Sequence, residues 1–320
     1  MTRSKRFLLG DIGGTNLRFT LAALGKCSPI TTLHRADYGG LGDAIAAYLD
    51  ASGSPPPDKA VLAIAGPLQN DHVVMTNTGW PVDARQLQDR LKVSSVHLVN
   101  DFVATAWSLP SLSAADIHQI NGARADPGGV KVVCGPGTGL GVSAFVPDER
   151  GGGTVISSEA GHITLAAQNA EEDSVLAQLR TWFGHVSAER ALSGPGLENL
   201  HRALATVSHQ DVAAHTAVGI VAAAREKNCD LCVRTVSLFC QLLGGFAGDM
   251  ALAFGARGGI FLAGGILPHM VDLLEASAFR ERFETKGRLR EYLAPLPVYA
   301  ILHPEPAILG LQAMIAAEAL

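Results

Sequence analysis

A glycine pair with hydrogen-bonding neighbours follows the first apolar segment of the chain and precedes a second one at residues 17–24. The residues of this motif are Asp11, Gly13, Gly14, Thr15 and Asn16. The pattern predicts a β-hairpin whose turn lets an anion approach several backbone N–H groups. Because Asp11 would repel a bare phosphate, the motif favours a phosphate that arrives with a divalent cation. The alternative is an ordinary glycine turn with an aspartate at its corner.

The same order of elements recurs further along the chain. An apolar segment at 130–134 leads into a turn with Gly137, Thr138 and Gly139, and a second apolar segment follows at 142–146. Each hairpin would offer a backbone cradle for phosphate oxygens. Two such hairpins suggest two related domains that close on one polyphosphate from opposite sides.

A third glycine turn, Gly264 and Gly265, follows the apolar segment at 259–263. It could lie against the base or sugar of a nucleotide, or it could be a tight turn between a strand and a helix. The sequence favours neither interpretation.

Other nucleotide-binding motifs fit the chain poorly. Residues 139–144 match the loose G-x-G-x-x-G/A pattern, and Glu159 stands at a suitable distance beyond it. That fingerprint requires a helix to begin inside the motif, whereas strand-forming residues follow here. A Walker-type loop is absent from the sequence. A nucleoside triphosphate would therefore be held by the hairpin turns.

An Asn-Asp pair at 100–101 follows a short apolar segment at 96–99. Ligands of open α/β sheets bind at the carboxyl ends of the strands, which is where this pair is predicted to lie. Asp101 could take a proton from an attacking hydroxyl, and Asn100 could hold a second hydroxyl. The alternative is a helix N-cap, because both residue types cap helices and a helix is predicted to follow.

Three further polar residues lie beside predicted turns. Glu159 and His162 are three residues apart and could contact adjacent hydroxyls, although a surface glutamate and a satisfied histidine explain them equally well. Glu189 is predicted in the first turn of a helix capped by Ser187, where the helix dipole alone would explain a carboxylate. Together with Asn100 and Asp101, these residues suit a polyhydroxy substrate, and the paired phosphate turns make that chemistry phosphoryl transfer to a sugar hydroxyl.

The composition limits the class of protein. The chain has 320 residues, 48% of them hydrophobic and 17% charged, and a net charge of −5, which argues against a nucleic-acid partner. We expect no signal peptide, because the basic cluster at 3–6 is short and the apolar segment behind it is interrupted. No uninterrupted apolar segment approaches the ~20 residues of a membrane helix, so no membrane partner is expected. The five cysteines, an odd number, indicate reduced thiols and a cytoplasmic protein.

Cys229 and Cys232 form a single C-x-x-C pair. The spacing allows a redox or zinc site, but no second pair stands near it and residues 211–243 are predicted to be helical. Plain thiols, buried or half-buried, are the favoured interpretation.

Apolar strand patterns alternate with helical ones over the first half of the chain, which predicts an α/β fold. Helices are expected at 42–49, 83–91 and up to Ser108, across most of 171–254, and at 307–320. Strands are expected at 59–65 and 96–99, a short strand or hairpin at 70–77, and a loop at 193–196.

Seven stretches together resemble bacterial glucokinases of the hexokinase-like, actin-like ATPase superfamily, and the resemblance extends over most of the chain. These stretches are 10–16, 75–77, 100–102, 135–141, 159–162, 184–197 and 263–266. The segment from His185 to Leu197 is highly specific, whereas the glycine turns are common to the superfamily. The resemblance implies two actin-like (ribonuclease H-like) α/β domains with a cleft between them, the C-terminal helix returning to the first domain. We therefore expect a small domain at 1–110 plus 300–320 and a large domain at 111–299.

The resemblance also implies ATP-dependent phosphorylation of glucose at the 6-hydroxyl with Mg²⁺, the first step of glycolysis, by a cytoplasmic enzyme that is commonly a homodimer. Asp101 would be the general base, and Asp11 would hold Mg²⁺ through water. Sugar hydroxyls would be bound by Asn100, Asp101, Glu159, His162 and Glu189. The nucleotide would be bound by Asp11, Gly13, Gly14, Thr15, Asn16, Gly137, Thr138, Gly139, Gly264 and Gly265.

The chain departs from the family pattern at Ala160, where relatives usually carry glycine. An alanine does not easily adopt a positive φ, so the sugar loop could differ in geometry. The cysteine-rich zinc motif of the related repressor and kinase family is absent, so the resemblance implies no zinc. Kinase action on another hexose is the alternative within the class. A sugar-sensing regulator and an actin-like ATPase without a small substrate are the alternatives outside it.

Overall fold

The computed structural model describes residues 5–23, 25–66, 72–75, 79–211 and 215–319. The chain divides into two compact units, Met1–Leu112 with His303–Leu320 and Ser113–Leu302. Each unit contains a six-stranded sheet with parallel and antiparallel strands and helices packed against it. The predicted α/β fold class is confirmed.

The secondary structure elements are numbered along the chain. The strands are β1 (Arg6–Ile12), β2 (Asn16–Ala23), β3 (Lys26–Cys27), β4 (Thr31–His34), β5 (Lys59–Ile64), β6 (His72–Val74), β7 (Pro81–Asp83), β8 (Ser95–Asn100), β9 (Ile117–Asn121), β10 (Lys131–Pro136), β11 (Leu140–Pro147), β12 (Gly153–Ser158), β13 (Gly259–Leu262) and β14 (Val298–Ile301). The α-helices are α1 (Leu41–Ser52), α2 (Ala84–Leu91), α3 (Asp101–Ser108), α4 (Ala170–Phe183), α5 (Gly194–Val207), α6 (Ala217–Glu226), α7 (Asp230–Phe254), α8 (Val271–Glu275), α9 (Phe279–Glu284), α10 (Arg290–Leu293) and α11 (Pro306–Ala316). Short 3-10 helices lie at Arg35–Asp37, Leu109–Ser111, Ala160–His162, Ala188–Arg190, Leu267–His269 and Gly287–Leu289.

The sheet of the first unit has the strand order β3-β2-β1-β5-β8, with β4 on the free part of β2. The hairpin β1–β2 is antiparallel, as predicted, whereas β1, β5 and β8 are parallel. Because side chains alternate along a strand, β1 buries Leu8 on one face of the sheet and Leu9 on the other. The Leu8 face packs with residues of α1 and α2, and the Leu9 face with α3 and α11. The C-terminal helix therefore belongs to the first unit.

The sheet of the second unit has the order β12-β11-β10-β13-β14-β9. Its central strands β10, β13 and β14 are parallel, and the hairpin β10–β11 is antiparallel. The two predicted hairpins are thus confirmed, one in each unit. Their turns follow the carboxyl ends of parallel strands, where the loops of an α/β sheet carry ligand sites.

Helix α7 forms the centre of the second unit. Within the described ranges it is the one helix long and apolar enough to cross a membrane by length and composition. Its buried residues include Leu231, Phe239, Leu243 and Phe246, which pack in the core of this unit. Its apolar character is that of a core helix.

The predicted loop at 193–196 is wrong. Helix α5 begins at Gly194, and the Ser193 hydroxyl accepts a hydrogen bond from the Gly196 N–H at 2.9 Å. Pro195 is tolerated because backbone N–H groups in the first turn of a helix have no hydrogen-bond acceptor within the helix. The helix predicted to start at Ser187 is only the 3-10 helix Ala188–Arg190, and Ser187 makes no side-chain cap.

The predicted helical stretch at 211–243 is also interrupted. Helix α6 ends at Glu226, its C-cap Lys227 has a left-handed φ of 54°, and α7 begins after Cys229. The C-x-x-C pair therefore lies at the N-terminus of a helix. Of the strand or hairpin predicted at 70–77, residues 72–74 form β6, whereas 70, 71, 76 and 77 lie outside the described residues.

Two neighbouring glycines of α7 provide a test of the packing. A Cβ on Gly244 would lie 2.2 Å from the carbonyl oxygen of Phe279, whereas one on Gly245 would have ordinary contacts at 3.8 Å and beyond. We expect Gly244→Ala to lower the free energy of unfolding by about 1–3 kcal/mol through overpacking. Gly245→Ala should raise it by up to about 1 kcal/mol, because alanine is the better helix former. Urea denaturation of both variants measures the difference, and equal values would contradict the packing of α7 on α9.

Candidate active site

The register of three parallel strands places the first glycine turn and the Asn-Asp pair at one edge of the first sheet. Ile12, the last residue of β1, pairs with Ile64, and Ile64 pairs with Asn100. Since neighbouring strands lie about 4.8 Å apart, the backbone of Asn100 is about 10 Å from the end of β1. The separation suits a substrate hydroxyl and a phosphate on neighbouring parts of one site.

The first turn is closed by a hydrogen bond from the Gly13 N–H to the Asn16 carbonyl at 3.0 Å. Gly13 and Gly14 are half-buried, and Thr15 is exposed. The side-chain oxygen of Asn16 is buried and has no hydrogen-bond partner. A buried acceptor without a partner is costly in a folded protein, so its presence beside the turn points to a ligand or a bound water.

Arg18 links two carboxylates next to this turn. Its Nη1 lies 3.2 Å from Asp11 Oδ2 and its Nε lies 2.9 Å from Glu305 Oε1, and all three side chains are less than 30% exposed. Burial raises the pKa of Asp11 above its ordinary value of 3.8, although Arg18 acts in the opposite direction. Burial likewise raises the pKa of Glu305, which Arg18 lowers and Asp11 raises. The positive charge of Arg18 therefore offsets only part of the free-energy cost of burying the two carboxylates.

The helix-cap alternative applies to Asn100. Its Oδ1 accepts hydrogen bonds from the N–H groups of Phe102 at 2.9 Å and Val103 at 3.2 Å, which makes it the N-cap of α3. Its amide nitrogen donates to the Gly66 carbonyl at 3.4 Å. Asp101 follows in the first turn, half-buried, with Oδ1 accepting from the Phe102 N–H at 2.9 Å. The helix dipole favours a negative charge at this position.

Glu189 lies at the second glycine turn, within the second unit. Its Oε2 accepts a hydrogen bond from the Leu140 N–H at 2.8 Å, and a Cβ on Gly139 would lie 2.4 Å from the same oxygen. The turn is fixed further by hydrogen bonds from the Gly137 N–H to the Gly139 carbonyl at 2.8 Å and from the Gly194 N–H to the Gly137 carbonyl at 2.9 Å. A candidate sugar ligand and a candidate phosphate turn are thus neighbours.

The third glycine turn is packed against the second. The Ala263 N–H donates to the Cys134 carbonyl at 3.0 Å. Gly264 has a φ of +117°, and a Cβ there would lie 2.2 Å from the Pro136 carbonyl oxygen. The glycine is therefore required by conformation and by space. Leu267–His269 is a 3-10 helix, so this is a tight strand-to-helix turn that also adjoins the second turn.

Glu159 and His162 belong to the same part of the second unit. Both are exposed, at the ends of the 3-10 segment Ala160–His162. Gly161 packs so closely on the Leu140 carbonyl that a Cβ would lie 1.9 Å from it. A hydrogen bond of 2.9 Å from Ala188 to Ile163 joins this segment to the one that carries Glu189. Ala160 has a negative φ, so the absence of glycine there costs no backbone strain.

The sequence interpretation missed Arg18 and Glu305. Asp11 and Arg18 lie directly opposite each other in the β1–β2 register. Opposite charges at paired positions of a predicted hairpin are a signal that the sequence contains. Glu305 gives no such signal, because it is nearly 300 residues away and the fold alone brings α11 to β1.

The fold is shared with solved structures of sugar kinases. The structure aligns with a crystal structure of glucokinase from an Antarctic psychrotroph at a TM-score of 0.85 and 36% identity, covering 98% of this chain and 99% of that one. It also aligns with a ROK family glucokinase from Streptomyces griseus, in complex with glucose and AMPPNP, at a TM-score of 0.65 and 18% identity, covering 98% and 99%.

Sequence comparison gives the family. The model of the glucokinase family matches residues 8–318. A glucokinase from Nitrobacter hamburgensis is 43% identical over 305 residues, which cover 95% of each chain. The chain therefore belongs to the glucokinase family, as the resemblance indicated, and is a kinase that phosphorylates glucose.

The raised pKa of Asp11 has a consequence for stability. A carboxyl with a raised folded-state pKa contributes stability that is complete below its unfolded pKa and is lost as the pH rises through its folded pKa. We therefore expect Asp11→Asn to raise the free energy of unfolding at pH 7, with the gain disappearing as the pH falls toward 3.8. Urea denaturation across this range measures it.

Asp272 is the matched control, because its hydrogen bonds to Arg225 lower its pKa. Asp272→Asn should therefore change stability at pH 7 in the opposite direction, and only slightly since the side chain is exposed. If Asp11→Asn were less stable than the parent chain at pH 7, the Arg18 ion pair would outweigh the burial of Asp11.

Proposed function

We propose that this chain transfers the γ-phosphoryl group of ATP to the 6-hydroxyl of glucose, giving glucose 6-phosphate and ADP in the first step of glycolysis. The observation that carries the proposal is the shared edge of the first sheet, where the glycine turn after β1 and the Asn100-Asp101 pair after β8 lie two strands apart. One position suits a phosphate and the other suits the hydroxyl that attacks it. Membership of the glucokinase family supports the same reaction.

Asp101 is the proposed general base. As O6 of glucose bonds to the γ-phosphorus, the O6 proton passes to the carboxylate of Asp101, and the bond from phosphorus to the β–γ bridging oxygen breaks. The bridging oxygen keeps the electron pair and leaves on ADP. The hydrogen bond from the Phe102 N–H and the first-turn position in α3 hold the carboxylate in place.

Sugar binding is assigned to Asn100 and Asp101 in the first unit and to Glu159, His162 and Glu189 in the second. Asn100 would act through its amide N–H groups, because its oxygen already caps α3 through two hydrogen bonds. Carboxylates accept hydrogen bonds from hydroxyls, and imidazole can donate or accept.

Phosphate binding is assigned to the glycine turns. The residues are Gly13, Gly14, Thr15 and Asn16 in the first unit, and Gly137, Thr138, Gly139, Gly264 and Gly265 in the second. Thr15 and Thr138 are exposed and would donate their hydroxyls. The bound AMPPNP of the Streptomyces griseus protein supports ATP as the phosphoryl donor.

The residues at the first turn fit a hydrated Mg²⁺ ion. Asp11 supplies a hard carboxylate oxygen, and the buried Oδ1 of Asn16, which lacks a partner, can accept a hydrogen bond from a metal-bound water. Positive charge here would relieve the cost of burying Asp11 and Glu305. When bound, the ion would neutralise charge on the phosphates. A homodimer and a cytoplasmic location remain predictions.

The role of Asp101 is tested by Asp101→Asn. We expect kcat to fall by about 10²–10⁴, because a positioned general base contributes that factor. Glucose should still raise the thermal unfolding temperature of the variant, since most sugar contacts remain. A coupled assay of ADP release over a panel of glucose, fructose and mannose measures the rate and the choice of hexose.

Asp173→Asn is the matched control, because Asp173 also lies in the first turn of a helix but is exposed and outside the site. It should keep full activity. Retention of most activity by Asp101→Asn would exclude Asp101 as the base.

Glu189 has two roles that two substitutions separate. Gln keeps an oxygen that can accept from the Leu140 N–H, so Glu189→Gln should preserve the turn and lose only the charged acceptor for a sugar hydroxyl. We expect the KM for glucose to rise about 10–100-fold, the equivalent of a charged hydrogen bond of about 1.5–3 kcal/mol, with little change for ATP. Glu189→Ala also leaves the Leu140 N–H unpaired, so the KM for ATP should rise too. Equal KM values for glucose in Glu189→Gln and the parent would remove Glu189 from the sugar site.

A further inference from the structure

Three side chains of the second unit that could bind a metal ion converge, and a second cysteine lies beside one of them. His201 lies on α5, His215 precedes the N-cap of α6, and Cys229 and Cys232 lie at the start of α7. Donor atoms of His201, His215 and Cys232 are all within 4.8 Å of one another. None of the four residues has a part in the proposed phosphoryl transfer.

One donor–donor distance in this group matches that of a tetrahedral metal site. The Sγ atom of Cys232 lies 3.7 Å from Nε2 of His201. Ligand bonds of 2.0–2.3 Å to zinc place neighbouring donor atoms about 3.3–3.8 Å apart. The rings of His201 and His215 meet edge to face with their centroids 5.3 Å apart, so the two imidazoles lie side by side.

Cys229 lies beside Cys232 and is the candidate for a fourth ligand. Its sulfur caps α7 by accepting a hydrogen bond from the Cys232 N–H at 3.2 Å. Cysteine binds a metal as the thiolate. The C-x-x-C spacing is common at structural zinc sites, and His201 and His215 supply the other two ligands of a Cys₂His₂ set.

Two of these side chains are buried, where a metal ion would satisfy their polar atoms. Cys232 is fully buried and His201 is 3% exposed. In the absence of a metal, the Cys232 thiol has only weak hydrogen bonds to offer its neighbours.

We propose that His201, His215, Cys229 and Cys232 form a structural zinc site. Binding of Zn²⁺ forms two Zn–S and two Zn–N bonds, and the two thiols release their protons to solvent. The ion would connect α5 to the beginnings of α6 and α7. These three helices are otherwise held together only by contacts between residues that are distant in the sequence. The site is separate from the Mg²⁺ assigned to Asp11, which is bound through oxygen.

Cobalt substitution tests the proposal on the full chain. The protein is purified under a phosphine reductant that keeps the thiols reduced, freed of metal, and titrated with Co²⁺ and then Zn²⁺. We expect one Co²⁺ per chain, the visible bands of tetrahedral cobalt, a thiolate-to-cobalt charge-transfer band, and loss of these signals on adding one equivalent of Zn²⁺. Zn²⁺ should also raise the thermal unfolding temperature.

Substitutions assign the ligands. Cys232→Ser and His215→Asn should each weaken Zn²⁺ binding by at least about 100-fold in competition with a chromophoric chelator, since even indirect partners of metal ligands change affinity by 10–100-fold. Cys240→Ser is the matched control, because Cys240 is another buried thiol of α7 outside the group, and it should bind as the parent does. His215→Asn keeps the test valid if the buried Cys232→Ser variant does not fold.

Two outcomes would overturn the proposal. One is the absence of a thiolate-to-cobalt band in the reduced protein. The other is equal Zn²⁺ affinity in His215→Asn, Cys240→Ser and the parent, which would place any bound metal elsewhere. A Cys229–Cys232 disulfide found in protein prepared without reductant, together with no metal uptake after reduction, would instead identify the pair as redox-active thiols.

Discussion

The parallel register of β1, β5 and β8 is the constraint on which the first half of the candidate site depends. Ile12, Ile64 and Asn100 are aligned across three strands, so the turn after β1 and the start of α3 open at one sheet edge. A slip of one residue in β8 would turn the Asn100 side chain to the opposite face of the sheet. The cap of α3 would then be lost, and Asp101 with it. The position of the proposed base is therefore fixed by main-chain hydrogen bonds and by hydrophobic side chains on both faces.

Arg18 compensates only part of the negative charge at the same edge. Two largely buried carboxylates, Asp11 and Glu305, lie on one guanidinium, and the pKa of each remains raised. One positive charge is too few for two buried negative ones, so further positive charge at this position is favourable. A site that receives a phosphate together with a cation meets this requirement, because the cation compensates both the phosphate and the carboxylates. The arrangement accounts for an aspartate at a turn that is otherwise suited to anions.

Local signals explain what the sequence predicted and what it did not. The two hairpins, the helix after Asn100 and the α/β alternation were predicted because a turn, a cap or a periodicity lies within a few residues of each. The hydrogen bond between Glu189 and Leu140 and the ion pair between Arg18 and Glu305 join distant segments, and they leave no local pattern. The start of α5 was misread because a proline flanked by glycines marks a loop as often as the first turn of a helix. The C-x-x-C pair was read without the two histidines, because these come from other elements.

In the second unit, glycines that the packing requires can be distinguished from glycines that a bound ligand would require. Gly264 is required by the fold, since it has a positive φ and a side chain there would collide with the Pro136 backbone, whereas a Cβ at Gly139 would displace only the end of the Glu189 side chain. Gly137 and Gly265 differ, because a Cβ at either would meet nothing within 4 Å and neither has a positive φ. Neither conformation nor packing explains glycine at these two positions. Close approach of a ligand to the backbone does explain the absence of a side chain at both positions. Gly137 and Gly265 therefore support the phosphate assignment in this unit more strongly than the motif as a whole.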